Sequence, residues 1–363
     1  MELKIKTLTP LWTGGVEAGK VDRIHETGIL GSLRWWYEAI VRGLGGEACD
    51  PSEGKCKFDA EKYRQSSAPD ERQRLRDAGL CDVCQVFGAT GWRRRFRLTI
   101  LDNTTPDSSV ESRAKANRSY TDNRRKTHTP TWYFPDNQSD KPRSGNLSIQ
   151  IQSLAPDFPP EVIAGLIQFV ADWGAIGARA QMGFGVIELE SVRINTRPLY
   201  DWLVPVAGNH AYTELPSLRN IFLARISPKN DEPFSEQGTF NLKYDLRQKF
   251  ANDSDVRHFV MGKVYMGGPR KGERIAAKVK MSRPYGDGLM RVWGWIPKQA
   301  NAYHGSWNRN AVLDAIYQHL SANYNLQVWR EMSSTRDTAR PNNGDAQAFL
   351  RDLLAIEEED NAV

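Results

Sequence analysis

The clearest structural pattern lies in residues 147–194, which read LSIQIQSLAPDFPPEVIAGLIQFVADWGAIGARAQMGFGVIELESVRI. Residues 147–154 alternate apolar and polar side chains, which predicts a strand. Residues 159–173 form an amphipathic pattern with proline at its start, which predicts a helix. The glycine-rich loop 174–185 follows, and residues 186–194 return to a strand pattern. We therefore predict a strand, a helix, a tight loop and a second strand in this stretch.

The residues before this stretch extend the same alternation of strands and helices. Residues 3–9 predict a strand, and apolar side chains at helical spacing from Ile29 to Leu44 predict a helix that Gly45 and Gly46 end. Residues 96–101 predict a further strand. The order strand, helix, strand, strand, helix, strand is that of a ferredoxin-like unit, which is also the order of RRM modules.

The second half of the chain shows the same order less clearly. Strands are predicted at residues 220–226, 275–281, 289–296 and 327–332, and a helix at 308–324. We predict an α+β protein with two tandem ferredoxin-like domains, at 1–200 and 215–340, and an acidic tail at 341–363. The first domain contains a cysteine-rich insert (47–86) and a basic excursion (102–146) without apolar periodicity, which we expect to be mobile.

Charge is distributed unevenly along the chain. Residues 93–143 hold twelve Lys and Arg against six Asp and Glu, whereas residues 345–363 hold one Arg against six acids. A clustered basic segment favours a polyanionic partner, although a solvated surface would look the same. No apolar run approaches the length of a membrane span, and Glu2, Lys4 and Lys6 argue against a secretory signal. We expect a cytoplasmic protein with reduced cysteines.

All four cysteines lie within 36 residues, with the spacing Cys49-x6-Cys56-x24-Cys81-x2-Cys84. The Cys-x2-Cys pair supplies two thiolates from one turn, as structural zinc sites do. The alternative is a chance cluster of core thiols. We predict a structural zinc site that stabilises the insert and, with no open ligand position, is not catalytic.

Two segments carry candidate RNA contacts. In the glycine-rich loop, Gly177, Gly183 and Gly185 would let backbone N–H groups approach a phosphate, and Arg179 would add a bidentate fork. The run Trp92-Arg93-Arg94-Arg95-Phe96-Arg97 would place Arg93, Arg95 and Arg97 on one face of a strand. A tight connection and a charged edge strand are the structural alternatives. Further candidate contacts are Arg34, Arg124 and Arg125; the alternative for Arg34 is an ion pair with Glu38.

A possible catalytic group lies at Asp22-Arg23-Ile24-His25-Glu26, which offers a carboxylate and an imidazole to a metal or a scissile phosphate. One acid and one histidine in a loop are common by chance. We therefore assign no catalytic residue, and keep an endoribonuclease that uses Asp22 and His25 as the alternative function.

Four segments together resemble the RAMP superfamily: residues 10–15 (PLWTGG), 28–39 (GILGSLRWWYEA), 87–89 (FGA) and 177–185 (GARAQMGFG). The resemblance covers about residues 1–195. The run Leu33-Arg34-Trp35-Trp36-Tyr37 is most similar to the first subunit of the Cmr complex, the type III-B CRISPR effector of antiviral defence.

This resemblance implies two RAMP domains of ferredoxin-like fold and a subunit that does not cut RNA. It implies that the subunit caps the complex beside neighbouring RAMP subunits, near the 3′ part of the CRISPR RNA and the 5′ part of the target RNA. It also makes Arg34, Arg179 and the surrounding glycines candidate RNA contacts. It does not imply the four cysteines, for which zinc depends on their spacing alone.

Overall fold

A computed structural model describes residues 1–17, 21–110, 113–115, 119–121, 125–129, 131–133, 141–190, 193–229, 236–265, 271–286, 288–300, 307–339 and 344–356. The strands are β1 (Glu2–Thr7), β2 (Phe96–Asp102), β3 (Thr105–Pro106), β4 (Arg113–Lys115), β5 (Tyr120–Thr121), β6 (Thr127–His128), β7 (Thr131–Tyr133), β8 (Arg143–Ser144), β9 (Asn146–Ser153), β10 (Ile187–Leu189), β11 (Ile221–Ser227), β12 (Lys263–Val264), β13 (Arg274–Ile275), β14 (Val279–Met281), β15 (Met290–Trp295) and β16 (Asn325–Arg330). The helices are α1 (Glu26–Leu44), α2 (Ala60–Gln65), α3 (Glu71–Asp77), α4 (Asp82–Phe87), α5 (Glu161–Trp173), α6 (Arg197–Leu203), α7 (Glu236–Lys249), α8 (Ser254–Met261), α9 (Arg309–Asn323) and α10 (Ala346–Leu353).

The first half contains a four-stranded antiparallel sheet in the order β10-β1-β9-β2. Alternation along β1 is strict, because Leu3 and Ile5 are buried while Lys4 and Lys6 are exposed. Helices α1 and α5 pack against the buried face, and α1 ends at Gly45, whose φ of 80° only glycine adopts at low cost. The strands and the two helices predicted in this half are confirmed, with shifted bounds.

The second half contains a second four-stranded antiparallel sheet, in the order β14-β15-β11-β16. Phe222, Ala224 and Val292 on one face form a core with α7 and α9. Ile221, Leu223 and Trp293 on the other face join the core of the first half. The second sheet is therefore covered on both faces, by a core of its own on one face and by a core that both halves share on the other.

The basic excursion is a ribbon in the residues that the structure describes. β3 pairs with β8, β4 with β7 and β5 with β6, all antiparallel and nested about one axis. Its base is held by Arg143, whose guanidinium donates to the Thr104 side chain and carbonyl. The described residues of the excursion therefore form short paired strands that the sequence did not indicate.

Other departures from the predictions concern single elements in both halves. The strand predicted at 275–281 is divided into β13 and β14, and the strand predicted at 186–194 is shortened to β10. Helices α7 and α8 were not predicted. The segment predicted as an acidic tail begins with α10, whose Phe349, Leu350 and Leu353 are buried against the first half. Residues 357–363 lie outside the described part of the chain.

The α+β class with antiparallel sheets is confirmed. None of the described helices combines the length and the apolar character that a bilayer crossing needs.

Candidate functional site

The four cysteines meet at one point beside α1 and α4. The Sγ atoms of Cys49, Cys56, Cys81 and Cys84 all lie within 4.8 Å of one another, and those of Cys49 and Cys84 are 3.7 Å apart. Cys81 immediately precedes α4 and Cys84 lies within it, so one helical turn presents both sulfurs. Cys49 and Cys56 come from the loop that follows α1.

These sulfurs fit a tetrahedral metal ion. Zinc–thiolate bonds of about 2.3 Å place neighbouring sulfurs about 3.8 Å apart, close to the distance between Cys49 and Cys84. Hydrogen bonds from Cys49 and Cys84 lower the pKa of the Cys81 thiol, while the contact with Cys81 raises the pKa of Cys49. The four residues could hold a metal ion such as zinc.

Arg34 lies against this cluster. Its Nη2 donates to Sγ of Cys84 at 3.2 Å, its Nε to Oε1 of Glu38 at 2.9 Å, and its Nη1 to the carbonyl oxygen of Gly88 at 3.3 Å. All three guanidinium nitrogens therefore donate inside the protein. The structure supports the ion pair with Glu38 that the sequence left open, and adds a sulfur contact that it did not indicate.

A second feature is a cleft at the seam between the two halves, which we call the seam cleft. The first turns of α1 form one wall, the loop residues 175–180 form the other, and the second sheet forms the floor. The volume is about 350 Å³, and the lining residues are Thr27, Gly28, Gly31, Ser32, Trp35, Trp36, Ala175, Gly177, Ala178, Ala180, Lys280 and Trp293. None of these residues is acidic, and the volume is in the range of small-ligand sites.

Lys280 supplies the positive charge of the seam cleft. It lies on β14, half-buried, with its Nζ 4.4 Å from the centre of the Trp35 ring. Burial lowers the pKa of Lys280 to about 8. Within the described residues, no carboxylate forms an ion pair with this ammonium group. A cation held in this way lacks the counter-ion that an anionic ligand would supply.

The three glycines of the loop have a structural reason to be there. Gly177, Gly183 and Gly185 have φ values of 80°, 94° and 90°. A Cβ would lie 2.5 Å from the carbonyl oxygen of Trp12 at Gly177, and 1.9 Å from that of Ile176 at Gly185. The N–H groups of all three donate inside the protein, to Ser32, Ala180 and Pro10. The expectation that these N–H groups are open to a phosphate is therefore wrong.

The second half holds the same loop from the other side. Arg291 donates from Nη1 to the carbonyl oxygen of Gly174 at 3.0 Å. The backbone N–H of Arg283 donates to the carbonyl oxygen of Gly183 at 3.0 Å. Lys243 donates to the carbonyl oxygen of Gln181 at 2.9 Å. Arg179 lies half-buried with its guanidinium 3.5 Å from the centre of the Trp12 ring. The glycine-rich loop is thus a junction between the halves.

The arginine run does not lie on one face of a strand. β2 begins at Phe96, so Arg93 to Arg95 precede it. Arg95 is buried and pairs with Asp157, whereas Arg93 and Arg97 are exposed and Arg94 is half-buried. The prediction that Arg93, Arg95 and Arg97 point together is wrong, because Arg95 is buried and pairs with Asp157 while Arg93 and Arg97 are exposed.

The run and the seam cleft also lie at opposite ends of β2. Arg95 immediately precedes Phe96, the first residue of the strand. Glu26, at the start of α1, accepts a hydrogen bond from the backbone N–H of Ile100, which lies near the last residue of the strand. The structure therefore does not bring Arg93, Arg94 and Arg97 together with the glycine-rich loop. Arg125 is exposed at the far end of the ribbon, and Arg124 lies outside the described residues.

Asp22 and His25 do form a pair. Oδ1 of Asp22 lies 2.7 Å from Nε2 of His25, and this hydrogen bond lowers the pKa of Asp22. Asp22 is exposed, whereas the His25 side chain is only 13% exposed. Next to them Arg23 pairs with Glu26.

Sequence reasoning missed Lys280 entirely. The residue stands between Val279 and Met281, where alternation predicts an ordinary exposed lysine. Trp35 lies 245 positions earlier, and nothing in a single sequence links the two. Of the two adjacent tryptophans of α1, Trp35 lines the seam cleft, and Trp36 is buried against Phe169 and edges the cleft.

A family model described as the RAMP superfamily matches residues 4–188, just over half of the chain. No protein with curated annotation matches the chain in sequence.

Among solved structures, the chain is similar to Cmr1 from Pyrococcus furiosus in its apo form, with 14% identity and a TM-score of 0.43 over 88% of this chain and 96% of that one. It is also similar to a chain in the type III-B Cmr-beta complex bound to cognate target RNA, with 11% identity and a TM-score of 0.42 over 87% and 98% of the two chains. Cmr6 from Pyrococcus furiosus matches with 13% identity and a TM-score of 0.25 over 53% of this chain and 97% of that one.

Proposed function

Because the chain belongs to the RAMP superfamily, we propose that it is a non-catalytic RNA-binding subunit of a type III-B CRISPR ribonucleoprotein. The run Leu33-Arg34-Trp35-Trp36-Tyr37 supports the choice of complex, since it resembles the first subunit of that effector. In this role the chain caps the complex beside neighbouring RAMP subunits, where it binds the 3′ part of the CRISPR RNA and nearby target RNA.

The observation that carries the RNA proposal is the seam cleft. Lys280 provides a half-buried positive charge, Trp35 provides an aromatic surface next to it, and no acidic side chain lines the walls. A phosphate would supply the missing counter-charge, and a base edge or ring can contact the indole. An RNA strand offers both groups in sequence-independent form.

Each half, in this proposal, is a ferredoxin-like RAMP domain. The first half has the strand order fourth, first, third, second, and the second half has the same order. In both halves one helix follows the first strand and another follows the third. This order and these connections support two ferredoxin-like units.

Exposed arginines away from the cleft extend the proposed RNA surface. Arg93, Arg94 and Arg97 would contact a separate part of the RNA backbone, and Arg125 would do so at the end of the ribbon. Gly177 lines the wall of the cleft, and Arg179, Gly183 and Gly185 belong to the same glycine-rich loop. Arg34 and Arg95 carry no RNA role in the proposal, because their guanidinium groups bond Glu38, Cys84 and Asp157.

The four cysteines, we further propose, bind one structural zinc ion. Cys49, Cys56, Cys81 and Cys84 supply four sulfurs and leave no position for substrate, so the ion would stabilise the insert rather than catalyse a reaction. The first two helices of the insert have little buried surface, since α2 has no buried residue and α3 has one. Purified protein should contain about one zinc per chain by elemental analysis.

Photocrosslinking tests the RNA proposal. Single-stranded RNA containing 4-thiouridine should crosslink to peptides that contain Trp35 or residues 175–182, and the yield should fall when Lys280 is changed to Gln. Crosslinks confined to the ribbon or to Arg93–Arg97 would contradict the seam cleft as the main site. Absence of any crosslink would favour a cap that contacts only protein.

One observation favours a second candidate function, an endoribonuclease. The 2.7 Å contact between Asp22 and His25 is of the kind that orients a general base. Incubation of labelled RNA with the protein and Mg²⁺ or Mn²⁺ tests it. Cleavage that Asp22→Ala abolishes would establish the nuclease, and intact RNA would exclude it.

A further inference from the structure

Arg34 holds a position that an ion pair with Glu38 does not explain. The pair uses only Nε, at 2.9 Å, while Nη2 lies 3.2 Å from Sγ of Cys84. A neutral thiol is a weak acceptor, whereas a charged sulfur accepts a guanidinium N–H strongly. A metal ion deprotonates the thiols that bind it, so the Cys84 sulfur in a metal centre would accept this guanidinium N–H strongly.

The charge around the cysteines gives Arg34 a reason to be there. A divalent ion with four thiolates carries two negative charges, and Cys81 and Cys84 are buried. Arg42 reaches the cluster through the carbonyl oxygen of Cys49 at 2.7 Å, without touching a sulfur. Glu38 lies between the two arginines and bonds both, at 2.9 and 3.3 Å. Glu38 thereby orients two positive charges towards an anionic centre.

Helix α1 links the cysteine cluster to the seam cleft. It contributes the Arg34 guanidinium that donates to Cys84, and it also contributes Trp35, the next residue, to the seam cleft.

We propose that Arg34 is an outer-sphere partner of a metal–tetrathiolate centre, which donates a hydrogen bond and a positive charge to the Cys84 sulfur. The inference rests on the proposed metal site and is independent of RNA binding. It gives Arg34 a role as a positioning residue that fixes the metal centre to α1.

Cobalt substitution tests the inference on the full-length protein. Co²⁺ bound by four thiolates gives intense sulfur-to-metal charge-transfer bands and visible ligand-field bands. Affinity is measured by competition with a chromophoric chelator, for wild type, Arg34→Met, Arg34→Lys and the exposed control Arg97→Met. Outer-sphere partners change metal affinity by about 10–100-fold.

We expect Arg34→Met to weaken metal binding by about 10–100-fold and to move the charge-transfer band to lower energy, because the sulfur loses a donor. Arg34→Lys should have a metal affinity and a band position between those of wild type and Arg34→Met, since lysine keeps the charge but cannot bond Glu38 and Cys84 at the same time. Arg97→Met should match wild type. Wild-type affinity and band position in Arg34→Met would overturn the inference.

Two further outcomes are decisive. If Arg34→Met does not fold, Arg34→Lys carries the comparison, and a wild-type band and affinity in that variant would overturn the inference. A wild-type protein without tetrathiolate bands would overturn both the metal site and the role of Arg34. RNA crosslinking would be unaffected by that result, so the two proposals fail separately.

Discussion

The two sheets have the same strand order but differ in their second face. In the first sheet that face is polar and exposed, with Lys4 on β1, Thr99 on β2 and Gln150 on β9. In the second sheet it is largely covered: Ile221, Leu223 and Trp293 pack into the core of the first half, and the cationic Lys280 and Arg291 lie on the same face. The same supersecondary arrangement therefore presents an exposed face in the first half and forms the contact between the two halves in the second.

The difference explains where the candidate RNA site lies. An open sheet face that binds RNA in the manner of RRM modules needs aromatic side chains for stacking. The exposed positions of the first sheet that the structure describes hold Glu, Lys, Arg, Thr, Leu, Ser, Asn and Gln instead. The aromatic and cationic groups meet at the seam, where Trp35 of one half faces Lys280 of the other.

The largest effect is expected for a substitution on the buried second face. Leu223→Ala should lower the free energy of unfolding by about 2–5 kcal/mol, because the cavity opens between the halves. The matched change on the first sheet, Lys4→Ala, should stay within about 0.5 kcal/mol. Urea denaturation followed by circular dichroism measures both. Equal effects would mean that the two faces do not differ as described.

A smaller loss is expected at the junction loop. Gly185→Ala places a Cβ against the carbonyl oxygen of Ile176 at a φ of 90°, which should cost about 1–3 kcal/mol or more. The control is Gly31→Ala, because Gly31 has open space around it and lies within α1. That control should be neutral or stabilising by up to about 1 kcal/mol. Thermal unfolding of both variants would decide whether the loop is a rigid junction.

RNA affinity should depend on pH through Lys280. Burial lowers the pKa of Lys280 to about 8 in the free protein, and only the charged ammonium group attracts phosphate. Binding should therefore weaken as pH rises through 8, by about fivefold between pH 8 and 9. Lys280→Arg should flatten this dependence, because arginine stays charged. Identical pH profiles for the two proteins, measured by fluorescence anisotropy, would assign the titration to another group.

The smallest effect is expected for the arginines at the far end of β2. The double substitution Arg93→Ala and Arg94→Ala should weaken RNA binding a few-fold at low salt and leave the fold intact, since both side chains are at least partly exposed. Filter binding at several salt concentrations measures this. A loss larger than that of Lys280→Gln would place the main RNA surface there instead.

Local pattern was sufficient for much of this architecture. Alternation in residues 147–154 and the proline before α5 were enough to predict that strand and helix, and the Cys-x2-Cys turn indicated the cysteine cluster. Helix α7 was missed because residues 236–249 are polar with weak apolar periodicity. Its role depends on long-range packing: Leu242 and Leu246 join the core of the second half, and Phe240 packs with Trp12 and Phe184.

The site was predicted less well than the fold, because its contacts are long-range. Arg34 was linked to Glu38 one turn away, but Cys84 is 50 positions further along the chain. The sequence placed Arg95 on a basic strand, whereas in the structure it pairs with Asp157, 62 positions away. Glycine spacing indicated a special loop correctly, but not that its N–H groups were already used.

The salt dependence of RNA binding by Lys280→Gln tests the seam cleft most directly, with Lys4→Gln on the exposed sheet face as the control. If one phosphate pairs with Lys280, the variant should bind RNA of any sequence more weakly. The plot of log affinity against log salt concentration should also be less steep, with a slope smaller in magnitude by about 1. Lys4→Gln should keep the wild-type slope. An unchanged affinity and slope in Lys280→Gln would contradict the proposal that RNA binds at the seam.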